Sequence, residues 1–168
     1  KGEIEKGSWG NIISISSRRL SGYPERVSDV GVILDLGVHD FDIINYLASS
    51  SVKEFYSTVY KKPLRKHEDH ALIVAEYENG IIASSEISWR SALRTRELNM
   101  ICDNSCISLD YLNQNVSITD LNSDGKSHLV KLEKVEPLKA ELQDFLLSIT
   151  NEREPLVTGK DALAVIAM

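Results

Sequence analysis

The sequence predicts an α+β fold in which an open, mainly antiparallel sheet carries helices on one face. Three observations lead there. Short segments rich in β-branched and aromatic residues fill the middle of the chain, explicit turn residues separate several of them, and apolar stripes of helical period stand before and after. Consecutive antiparallel strands flanked by helices give one sheet face to those helices. The second face, bearing Ile, Leu, Tyr and Trp, is covered most simply by another subunit, so a homo-oligomer through the sheet face is expected.

Each element has its own reason. Residues 11–17 (NIISISS) are rich in β-branched side chains and follow Gly10, which suits a strand entered from a turn. Residues 18–30 show neither the strand period nor the helix period. Gly22, Pro24 and the mixed charges of Glu25, Arg26 and Asp29 make this stretch a loop, with Arg18 and Arg19 closing the strand before it, and loops of that length often carry function. Leu34, Val38, Phe41, Ile44 and Leu47 recur every three or four positions, the spacing of an amphipathic helix over 34–47. Strands are expected at 52–60, 70–77, 81–89, 95–102, 106–110 and 116–119. Asn79-Gly80 favours positive φ and marks a hairpin, and Asp124-Gly125 repeats the device. Pro137 suits a first helical turn ahead of the stripe Leu138, Leu142, Phe145, Leu146 and Ile149. Thr158 caps a last helix over 162–168, which ends while still helical in character, as if the chain were cut there.

Bulk properties narrow the function classes. At 168 residues one domain is expected, and 42% hydrophobic with 26% charged residues is ordinary for a globular protein. The net charge of -6 and the lack of a Lys/Arg block argue against nucleic acid as a partner. No apolar run approaches the length of a membrane span, and residues 30–36 are interrupted by Asp35. Lys1 is followed by nothing like a secretion signal, so cytoplasm is the expected compartment. Two cysteines, Cys102 and Cys106, are too few for a disulfide framework or a four-thiolate zinc site. Flanking Asp103-Asn104-Ser105, they are expected to face each other across a hairpin as small buried hydrophobes.

The residues best suited to chemistry are Asp35 and His39, followed by Asp40 and Asp42. Spaced four apart, Asp35 and His39 share one side of a helix, where a carboxylate and an imidazole can serve one substrate. Oxidising an alcohol requires a proton acceptor as hydride leaves carbon, and an imidazole does this near neutral pH. Gly37 between them leaves room for a ligand near the backbone. A capping Asp35 and a packed His39 are the plainer alternative. Arg18, Arg19, Arg94 and Arg96, with Arg26 and Arg90 nearby in sequence, offer guanidinium forks for phosphate or sugar oxygens, and Trp89 could stack on a ring. A solvated charged rim is the plainer reading of these. His67, Glu68 and His70 lack a further ligand nearby, so no metal is expected, and no phosphate-cradling glycine loop occurs.

Four stretches taken in order resemble one family: residues 6–12 (KGSWGNI), 29–42 (DVGVILDLGVHDFD), 138–149, and 154–162 (EPLVTGKDA). Together they are similar to the C-terminal domain of the glucose-fructose oxidoreductase, inositol dehydrogenase and rhizopine catabolism (Gfo/Idh/MocA) family. The resemblance implies that Asp35 and His39 match the family's D-x-x-x-H pair, with His as the proton-transfer residue and Asp positioning a sugar. It implies NAD or NADP bound mainly by a Rossmann half that these residues do not include. The family's Glu-Lys-Pro lysine, which belongs to that half, has no counterpart here, so the isolated fragment is expected to be inactive. Residues 88–98 and 110–114 look like the UDP-N-acetylglucosamine 3-dehydrogenase group, although Arg90-Ser91-Ala92 stands where that group has a threonine-proline step. The expected function is therefore the substrate-binding and catalytic half of an NAD(P)-dependent oxidoreductase acting on a secondary hydroxyl of a sugar or nucleotide sugar. The rival is a non-catalytic ligand-binding or oligomerisation module of the same fold.

Overall fold

A computed structural model of the chain describes every residue except Lys1, Arg26, Ser28, Ser123 and Asp124, together with every side chain but that of Glu5. The loop arginine Arg26 and the Asp124 half of the second predicted turn therefore lie outside the described residues. The chain divides into two compact units, Lys1–Lys131 and Leu132–Met168.

The first unit opens with a short helix α1 (Gly2–Glu5) and the strand β1 (Ile12–Leu20). A five-residue π-helical turn (Ile33–Gly37) then leads directly into helix α2 (Val38–Ala48). Seven strands follow: β2 (Val52–Tyr60), β3 (His70–Tyr77), β4 (Ile82–Ser88), β5 (Thr95–Cys102), β6 (Ser105–Asp110), β7 (Asn115–Asp120) and β8 (Ser127–Val130). All eight form one sheet in the order β2-β3-β4-β1-β5-β6-β7-β8, antiparallel except where β1 runs beside β4. The predicted open, mainly antiparallel sheet is present. Gly80 has φ +84°, and Gly80 N donates to Tyr77 O at 2.9 Å, so the Asn-Gly pair closes the predicted hairpin.

Side-chain alternation assigns the two faces. Ile15, Tyr77, Ala83, Leu98, Met100, Ile107 and Ile118 point to one side, where Ile44 and Ala48 of α2 meet them in the core. Burying each of the larger side chains contributes about 1.5–3 kcal/mol, so this layer fixes where α2 lies on the sheet. Tyr77 also donates through its hydroxyl to Asn45 Oδ1 of α2 at 2.5 Å, and burial pushes its pKa up to about 12. The opposite face exposes Leu72, Val74, Ile82 and Ile101, each between 45% and 52% accessible.

Two expectations need correction. β1 extends beyond the β-branched run 11–17 and past the two arginines to Leu20, pairing Arg18 and Arg19 with Glu86 and Ile87 of β4 and with Glu97 and Arg96 of β5. Being central in the sheet, it is held on both edges, and that pairing overrides the local charge density. The two cysteines do not face each other either. Cys106 pairs with Ile101, so alternation sends Cys102 into the core and Cys106 to the opposite side.

The second unit holds α3 (Pro137–Thr150) and α4 (Gly159–Ile166). The Glu136 carboxylate caps α3 by accepting from Leu138 N at 3.3 Å and Lys139 N at 2.6 Å. Thr158 caps α4 as predicted and forms a reciprocal box with Asp161, so the helix starts at Gly159, three residues before the predicted 162.

Candidate active site

The segment that carries Asp35 and His39 is fastened at its entry by Glu68. Val32 N donates to Glu68 O at 3.0 Å and Ile33 N to Glu68 Oε1 at 3.2 Å. A Cβ on Gly31 would stand 1.9 Å from that carboxylate oxygen, so a larger residue there would displace the Glu68 carboxylate. In the π-turn Val38 N reaches back five residues to Ile33 O. Gly37 ends the turn with its backbone against β4: a Cβ there would lie 2.6 Å from Ile87 Cδ1.

This geometry leaves Asp35 half-buried and His39 exposed, one turn apart at the open end of α2. Asp40, the next residue, turns inward and is 2% accessible. Arg19 meets it with two hydrogen bonds, Nε to Oδ2 at 2.7 Å and Nη2 to Oδ1 at 3.0 Å, and is itself 8% accessible. Arg19 is therefore committed to a protein carboxylate.

The other predicted ligands divide. Arg96 lies opposite Arg19 across the β1–β5 ladder, on the side of the sheet that α2 covers, and Arg94 just precedes β5. Burial lowers the Arg96 pKa, and the charges of Arg19 and Arg94 lower it further against the pull of Asp40. Among the described residues neither Arg94 nor Arg96 makes an ion pair, and Arg94 is exposed. Arg18 points to the opposite sheet face, where its Nε donates to Glu86 Oε2 at 2.7 Å, and does not join the His39 group. Trp89 is buried at 3% accessibility in a T-shaped contact with Tyr23, centroids 5.2 Å apart. It is packed as a wall and presents no open face for stacking.

Sequence reasoning passed over three groups. Asp40 was seen only as a neighbour of His39, and its signal was an arginine at an inward position of a central strand, which demands a counter-charge. Tyr111 holds a buried hydroxyl with no hydrogen-bond partner, and burial and the Asp40 charge both raise its pKa. Asp69, just before β3, is 1% accessible with neither carboxylate oxygen hydrogen-bonded, and Arg90 Nη1 stands 3.6 Å away. A hollow of about 440 Å³ lies at the other end of α2, lined by Ile4, Asn11, Leu47, Ser49, Asn79 and their neighbours, and holds none of the predicted site residues. Among the described residues no group of three His, Cys, Asp or Glu side chains is placed to hold a metal ion, and no helix is long and apolar enough to cross a membrane.

The GFO/IDH/MocA C-terminal domain description matches residues 1–108, and the chain belongs to that family. It is 24% identical over 171 residues to the UDP-N-acetylglucosamine 3-dehydrogenase of Acidithiobacillus ferrooxidans, covering 98% of this chain and 54% of that protein. It is 26% identical over 176 residues to the myo-inositol 2-dehydrogenase of Thermotoga maritima, covering 96% of this chain and 52% of that protein. The chain thus spans about half the length of the curated relatives it matches. The solved A. ferrooxidans enzyme superposes with a TM-score of 0.88 at 23% identity, over 99% of this chain and 54% of that one. A levoglucosan dehydrogenase solved in complex with NADH gives 0.84 at 16% identity, over 98% and 56%. These likenesses establish the fold.

Proposed function

We propose that these residues form the substrate-binding and catalytic half of an NAD(P)-dependent oxidoreductase that oxidises a secondary hydroxyl of a sugar or nucleotide sugar. The observation that carries the reading is the exposed His39 beside a half-buried Asp35 one turn earlier, on a helix whose inner face is fixed to the sheet. Both curated relatives are named as dehydrogenases of polyhydroxylated rings, which supports the substrate class. The nicotinamide, bound mainly by a dinucleotide-binding half outside these residues, supplies the two-electron acceptor.

His39 takes the hydroxyl proton as the carbon is oxidised, and Asp35 accepts a hydrogen bond from a neighbouring hydroxyl so that the reacting one faces the imidazole. Arg94 and Arg96 give a sugar nucleotide two guanidinium forks for its phosphates. We assign the exposed apolar face around Leu72, Val74, Ile82 and Ile101 to contact with a second copy of the chain, and place the protein in the cytoplasm.

In the full-length protein, His39→Ala should lower kcat by about 10² or more with a smaller change in KM, as expected for loss of an acid–base group. Turnover within a few-fold of wild type would remove His39 from the chemistry and leave a ligand-binding or oligomerisation module as the better reading.

A further inference from the structure

We infer that Arg19 and Asp40 are positioning residues that, together with the seat of Gly37 on Ile87, set the direction in which His39 leaves the fold. The three facts behind this converge on one rung of the sheet. Arg19 and Ile87 are register partners across the parallel β1–β4 pair. Gly37 rests on Ile87, where an added Cβ would be 2.6 Å from Cδ1. Asp40 receives both hydrogen bonds of the Arg19 fork, at 2.7 and 3.0 Å. Positions 37 and 40 share one side of the helical segment, one turn apart, so the segment is fixed to a single rung at two points. His39 lies between them in sequence and, at about 100° per residue, projects well away from both.

The form of the second contact argues for orientation beyond simple adhesion. An apolar pair would hold a helix to a sheet without removing two charges from water, a step whose penalty the ion pair only partly recovers. What an apolar pair lacks is directionality. A planar fork meeting both carboxylate oxygens fixes the rotation of the helix about its axis as well as its height along it. Asp40 cannot swing outward without leaving Arg19 charged and unpaired in a site where it is 8% accessible. Any rotation that moved His39 would have to break that pair.

The inference relies on the acid–base reading of His39 only for its kinetic consequence, so its test has two readouts in the full-length protein. Arg19→Lys keeps the charge but offers a single ammonium in place of the fork. It should lower kcat by about 10- to 100-fold, the penalty of a misplaced reacting group, with KM nearly unchanged. Amide exchange should quicken at residues 38–41 while the rest of α2 and the sheet keep their protection. Wild-type kcat together with wild-type exchange at those residues overturns the inference, and so does exchange that quickens evenly through the domain. Local quickening alongside a His39→Ala enzyme of full turnover upholds the mount and refutes the role of His39. If Arg19→Lys does not fold, Gly37→Ala reads the other contact. It should lose kcat and regain it when Ile87→Val removes the obstructing Cδ1, and an undiminished Gly37→Ala enzyme overturns the inference.

Discussion

Asp40 and Asp69 are both aspartates almost sealed from water, at 2% and 1% accessibility, and each has an arginine beside it, yet the two regions are built differently. Asp40 has both oxygens filled by Arg19, whose backbone sits in a central strand and whose guanidinium is buried with it. Asp69 has neither oxygen filled, and Arg90 stands at 3.6 Å on a side chain that is 46% accessible. A carboxylate can therefore be buried beside a cation without a hydrogen bond to it. What completes the pair is an arginine whose strand position already points the fork inward; one rooted in a solvated turn keeps much of its hydration. The Asp40 region is closed and its acceptors are filled, whereas the Asp69 region retains unmet acceptor capacity.

Substitutions can break this contrast. The largest effect is expected from Asp40→Ala, which strands Arg19 as a buried unpaired charge and should reduce unfolding free energy by about 3–5 kcal/mol in urea titration. Asp69→Asn should change stability less, by about 1 kcal/mol, because the carboxylate it replaces makes no hydrogen bond and meets Arg90 only at 3.6 Å. A loss comparable to that of Asp40→Ala would show that Asp69 has a full partner and would erase the distinction. The smallest change belongs to Arg90→Ala. With its half-exposed side chain screened by water, its removal should shift stability by less than about 1 kcal/mol, and a larger loss would mean that the Asp69 pair closes in solution.

Much of the architecture was legible in the sequence where local signals and tertiary pairing agree. The strands 52–60, 70–77 and 95–102 coincide with β2, β3 and β5 because alternation and turn residues bound both ends. β8 was missed: Ser127–Val130 is four residues of edge strand, exposed through its first three, and shows no apolar alternation. The true end of β1 was hidden because Arg18 and Arg19 look like loop residues until Glu86 and Asp40 supply their counter-charges from elsewhere in the chain. The Asp35 and His39 spacing was readable, as the helical period is local. The separation of Arg18 from Arg19 onto opposite faces follows only once β1 is known to run through both, and the burial of Trp89 depends on Tyr23, sixty-six positions away.

The π-turn ahead of α2 acts as a phase element. Because it accommodates one residue more than an α-helical turn, the distance in sequence between Val32 and Ile33, held by Glu68, and Asp40, held by Arg19, is matched to two fixed anchors. Dropping a single residue from 33–37 would let the turn relax to ordinary helix and dial every later side chain around by about a quarter turn. Here the count of residues between anchors, more than the identity of most of them, sets which way the imidazole faces.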